Sequence, residues 1–147
     1  MVFEAATYVN VVVRLYSDVL TYTLTAQNTG SAPATGLAIV LDGSPVSRVV
    51  VRDAIPANAA FVKLGVFGPG TPLYHSAGAD ANTYTSTPPD DLALVDAVGF
   101  GFIKIDAGQT VVRTFDVKIN ANASGDIVNT AKVGFNDGLS VSGRSVS

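Results

Sequence analysis

Apolar positions in this chain fall at every second residue within short runs, and no stretch keeps a 3.6-residue apolar period between helix caps. That pattern predicts an all-β protein. The expected strands are residues 7–16, 19–27, 35–41, 46–52, 59–67, 82–86, 98–105, 110–119, 127–135 and 139–146. The first of these, TYVNVVVRLY, has one almost wholly apolar face made by Thr7, Val9, Val11, Val13 and Leu15, opposite Tyr8, Asn10, Val12, Arg14 and Tyr16. A strand with such a face needs a groove to fill.

The runs are separated by residues with turn chemistry. Asn28-Thr29-Gly30-Ser31 and Asp42-Gly43-Ser44-Pro45 combine residues tolerant of positive φ with a ring that fixes φ, which predicts hairpin turns. Asn136-Asp137-Gly138 predicts a hairpin between residues 127–135 and 139–146. The segment from Gly68 to Leu94 has little periodicity and is expected to cross between sheets with one short strand at most. Gly30 and Gly108 are expected to allow left-handed turns, Pro33 and Pro56 to end pairing, and Asn28 and Asn129 to bond backbone at strand ends.

Composition narrows the picture. At 147 residues with no composition shift, the chain reads as one sandwich domain, 19–147, preceded by an extension, 1–18. Charged residues make up 14%, hydrophobic residues 48%, and mean hydropathy is +0.36. Soluble domains carry about 25% charge, so some apolar surface is expected to meet another chain. The net charge of −3 is scattered without a basic stripe, which argues against nucleic acid and membrane surfaces as partners. With no cysteine there is no disulfide, thiol nucleophile or thiolate metal site. The start MVFEAATYVN lacks a secretory leader pattern, so a leader has either been removed or is not used, and no apolar run approaches the about 20 residues of a spanning helix.

TYTLTAQNTGSAPATG, residues 21–36, resembles the opening of the conserved repeat family also called domain of unknown function 11, with Tyr22, Leu24, Asn28, Thr29, Gly30, Pro33, Ala34 and Thr35 in the motif positions. VVVRDAIPANAAFV, residues 49–62, is similar to the family's Asp-x-Leu-Pro corner, with Ile55 for leucine. FIKIDAGQTVVRTFDVKINANASGDIVNTAKV, residues 102–133, is similar to its closing block. The likeness spans residues 19–135 and implies an immunoglobulin-like β-sandwich of a bacterial or archaeal surface protein. The chain departs from the family in an inserted hairpin, GLAIVLDGSPVSR, in having no tryptophan, and in standing as one copy rather than a tandem array.

Candidate chemistry is sparse. His75 has Ser76 beside it and Asp80 five residues on, but no nucleophile elbow accompanies them. Asp90 and Asp91, with Asp80 and Asp96, form the densest acidic stretch, yet no calcium-loop pattern exists, so they are weak candidate metal ligands and no cofactor is expected. Asn122-Ala123-Ser124 is a possible glycosylation acceptor. Nothing assigns an enzymatic activity.

The expectation is therefore a structural subunit of an extracellular, pilus-like filament, a homopolymer joined by donation of strand 7–16 to a neighbouring copy, with Val9, Val11, Val13 and Leu15 as the subunit interface. Ten extended residues span about 33 Å. Four buried side chains of this kind contribute on the order of 6–12 kcal/mol before ordering costs. The alternative is a monomeric cell-surface adhesion module that displays loops to carbohydrate or protein.

Overall fold

The computed structural model of the protein describes residues 19–65, 68–120 and 131–135 and, for residues 3–9, the backbone. The strands are β1 (Phe3–Val9), β2 (Val19–Asn28), β3 (Ala34–Thr35), β4 (Leu37–Leu41), β5 (Ser44–Ala54), β6 (Ala59–Leu64), β7 (Thr71–Ser76), β8 (Thr83–Tyr84), β9 (Val95–Phe102), β10 (Lys104–Ile105), β11 (Thr110–Ile119) and β12 (Ala131–Gly134). One sheet has the order β1-β2-β11-β6, and the other β7-β9-β5-β4-β8 with β12 also paired to β5. The short β10-β3 ribbon is separate. The chain is thus all-β, with packed sheets in a sandwich.

Strict alternation builds the interior. Along β2, Leu20, Tyr22, Leu24 and Ala26 are buried, and along β11 so are Val111, Phe115, Val117 and Ile119. Facing them from the other sheet are Val49 and Val51 of β5, Val98, Phe100 and Phe102 of β9, and Val133 of β12. Each such side chain contributes about 1.5–3 kcal/mol on leaving water. A second, smaller cluster of Ile39, Val50, Leu73 and Tyr84 covers the outer side of the second sheet. This outer cluster explains how both Val50 and Val51 are buried on one strand.

Gly99 and Gly101 make room on that outer side. A Cβ on Gly99 would meet the Val51 main-chain oxygen at 2.5 Å, and one on Gly101 would touch Leu73 and Arg48 at 3.4 and 3.5 Å. The alternation of Phe and Gly in GFGF therefore puts bulk into the core and leaves the cross-strand side chains space outside.

Several expectations change. The first strand starts at Phe3 rather than Thr7 and pairs antiparallel with β2 from Phe3 opposite Asn28 to Val9 opposite Tyr22. Residues 10–18, with Val11, Val13 and Leu15, lie outside the described residues, as do Asn122, Asn129 and the 136–147 half of the expected last hairpin. The Gly68–Leu94 connection does enter the second sheet, but it supplies two strands, β7 and β8, and a 3-10 turn at Leu92–Leu94. Pro72 hides β7 from a propensity reading and is tolerated because β7 is an edge strand. The Asp42-Gly43 turn does close a hairpin, with φ of 50° and 83° and Leu41 opposite Ser44. Asn28–Ser31 instead turns a corner from β2 to the ribbon strand β3, and Gly108 has positive φ whereas Gly30 does not.

Tyr22 carries a testable cost. Its ring stacks on Phe115 at 5.2 Å, but its hydroxyl is buried with no hydrogen-bond partner among the described residues. Tyr22→Phe is expected to leave thermal stability unchanged or raise it by up to about 1–2 kcal/mol, read by denaturant unfolding. Burial, with the nearby Asp53 charge second, raises the Tyr22 pKa above its ordinary 10.0. Below that value both folded and unfolded chains keep the phenol proton. As pH rises past it the unfolded chain ionises first, so stability falls through the raised folded pKa. Tyr22→Phe should flatten that alkaline decline, leaving the share due to Tyr74, whose pKa burial also raises.

Candidate functional site

The His75 group is a structural clasp. Residue 75 on β7 and Asp96 on β9 lie near a register shift, and His75 Nδ1 stands 2.5 Å from Asp96 Oδ1 while Nε2 stands 3.1 Å from the Asp80 main-chain oxygen. Its ring meets Tyr84 edge-on at 6.0 Å, and Arg52 Nη1 donates to the Tyr84 hydroxyl at 2.9 Å. Asp80 therefore reaches His75 by its backbone, and among the described residues no serine hydroxyl is a partner of His75. Both ring nitrogens face these oxygens, so neither is turned towards a nucleophile among the described residues. What the group does is tie the 77–84 segment over the outer cluster.

The acidic stretch is also put to local use. Asp91 accepts from Ala93 N at 3.0 Å and caps the Leu92–Leu94 turn, while Asp90 is exposed beside it. Among the described residues no three His, Cys, Asp or Glu side chains are grouped so as to hold a metal ion. EDTA is expected to leave the melting temperature unchanged. A fall that calcium reverses would make Asp90 and Asp91 ligands after all.

A different site opens at one end of the sandwich. A cleft of about 570 Å³ is lined by Arg48, Thr71, Phe102, Lys104, Gln109 and Arg113 together with the Gly70 corner and Ile103. It lies across strand ends: the start of β7, the end of β9, β10 and the start of β11. Gly70 has φ 116°, and a Cβ there would lie 2.7 Å from the Phe102 ring, so this corner needs glycine. Among the described residues no carboxylate lines the cleft, whereas three of the chain's nine Lys and Arg residues do.

Arg113 is its most constrained charge. It occupies an inward register on β11 between buried Val111 and Phe115. Its guanidinium lies 5.3 Å from the Phe102 ring centroid and 5.9 Å from that of Phe100. Nη1 donates to Val112 O at 2.7 Å and Nη2 donates to Pro69 O, while Nε is buried without a hydrogen-bond partner among the described residues. Burial lowers its pKa from the ordinary guanidinium value, but a guanidinium stays charged throughout the physiological range. Lys104 is exposed and paired with Asp106 at 3.2 Å, and the Arg48 Nη1 donates to Ser47 O at 2.8 Å.

None of these cleft residues was singled out from the sequence, because positions 48, 104 and 113 meet only through strand order. One signal was present: Arg113 breaks the apolar register of TVVRTFDV at a position that alternation sends inward. No protein-family model matches the chain, and no curated protein is similar enough to count as a relative.

Proposed function

We propose that the chain is a binding module of a cell-surface protein, a monomeric β-sandwich that displays the strand-end cleft to an extracellular ligand. The observation that carries this reading over strand exchange is the ladder of β1. Residues 3–9 pair with β2 of their own chain over seven positions, so Thr7, Tyr8 and Val9, the part of the expected donor strand 7–16 that lies among the described residues, have one edge engaged within the chain. The cell-surface, immunoglobulin-like setting comes from the resemblance of residues 19–135 to the conserved repeat family. Among the described residues His75 faces the Asp96 carboxylate and the Asp80 carbonyl, the contacts of a structural clasp.

The test is the assembly state of the whole chain by light scattering over a wide concentration range, with deletion of residues 1–17 as comparison. A monomer that loses stability on deletion supports the module. Polymers that resist dilution and are abolished by the deletion, or by Val11→Asp or Val13→Asp without unfolding, would overturn it in favour of a strand-exchanged filament.

A further inference from the structure

We infer that the strand-end cleft binds an acidic carbohydrate, a sugar chain bearing uronic-acid carboxylates; the inference rests on the binding-module reading and names its ligand class. The sign of the charge comes first. Arg48, Lys104 and Arg113 line one cleft with no acid in its wall among the described residues, in a chain whose net charge is −3. Lys104 has Asp106 at 3.2 Å, whereas Arg48 and Arg113 have no carboxylate partner among the described residues, so the cleft keeps positive charge that a bound anion would offset.

The remaining lining selects the kind of anion. Nη1 and Nη2 of Arg113 each spend one N–H on a main-chain carbonyl and Nε is buried, so one N–H on each terminal nitrogen remains for a ligand. The rest of the polar lining is the Arg48 guanidinium, the Lys104 ammonium, the hydroxyls of Thr71 and Thr110 and the amide of Gln109. Gln109 Oε1 already accepts from Asp106 N at 2.9 Å, which leaves its NH₂ to donate. Donors and acceptors of these mixed types suit a ring with several hydroxyls and one carboxylate. Ile103, 75% exposed at the rim, offers an apolar surface for the C–H face of such a ring.

An acidic peptide fits less well. Extended peptides gain affinity by adding to a sheet edge, and this cleft draws one residue from each of two edge strands, Thr71 of β7 and Lys104 of β10, rather than a run along one edge.

The experiment is an NMR titration of the whole chain at low salt with an oligogalacturonate, its methyl ester and a hexaglutamate peptide. Binding of the free acid is expected, with shifts at Thr71, Gly101, Lys104 and Gln109, and at least about tenfold weaker binding of the ester. Added salt should weaken the free acid further, as for partly exposed charges. Lys104→Glu should weaken binding by at least about tenfold, and Arg48→Gln, a second partly exposed position, should weaken it without altering the spectrum elsewhere. Equal binding of acid and ester, shifts confined to other surfaces, no binding, or tighter binding of hexaglutamate would each overturn the assignment. A monomer that fails here loses only the ligand class, whereas a polymer in the assembly test removes the module reading itself.

Discussion

Asn28→Ala is expected to lose about 2–4 kcal/mol, a drop in melting temperature on the order of 10 °C. Asn28 is fully buried at the end of β2, where one amide serves a whole corner. Nδ2 donates to Ala32 O at 2.8 Å and to Ile105 O at 3.0 Å, and Oδ1 accepts from Gly30 N at 3.0 Å. Its backbone joins the same corner, donating to Gln109 O at 3.0 Å and accepting from Gly108 N at 2.7 Å. Alanine would leave the buried Ile105 carbonyl without this partner and release Ala32 O and Gly30 N, which are only part-buried. Asn28→Asp separates the roles: it keeps the acceptor for Gly30 N but turns a carboxylate towards two carbonyl oxygens, so it should be no better than alanine. Denaturant unfolding with an unchanged slope would measure both. A loss under about 0.5 kcal/mol for Asn28→Ala would show that the corner relaxes and that its hydrogen bonds are replaceable.

Gly36→Ala should cost about 3 kcal/mol or more, or prevent folding. A Cβ at this junction of β3 and β4 would stand 2.2 Å from Arg48 N and 2.6 Å from both Arg48 Cα and C. The obstacle is the backbone of β5, which no rotamer change can move aside. Gly43→Ala is the matched control, since its Cβ would meet nothing but its φ is 83°. That change should cost only about 1 kcal/mol, the conformational term alone. Thermal melts of the two variants would rank them. If Gly43→Ala proved the worse, strain in the hairpin turn and not the close approach of β5 would govern this half of the sheet.

Alternation by itself determined the class and the better elements. TYTLTAQN buries every second residue and TVVRTFDVKI does so except at Arg113, and their expected limits differ from β2 and β11 by one residue at most. The Asp42-Gly43 hairpin was equally legible, because two adjacent residues tolerant of positive φ specify one kind of turn. Local chemistry sufficed in these places since the neighbour along the chain is also the neighbour in space, or the burial period is two.

Only the tertiary structure decided the rest. FEAATYV has weak intrinsic β preference over Glu4-Ala5-Ala6, and it is a strand because β2 offers it an edge. TPLYHS becomes β7 because β9 presents glycines where Leu73 must pack, despite Pro72. The segment around His75 reads as loop, with a short strand expected at 82–86, and the structure pins both over a second apolar cluster. The cleft belongs here too: Arg48, Lys104 and Arg113 are distant in sequence and converge because strand order brings the ends of β9 and β11 together around Phe102. Alternation records which side of a strand is dry, a local property of burial. Which strands lie side by side depends on long-range pairing between segments, and no periodicity within one segment carries that information.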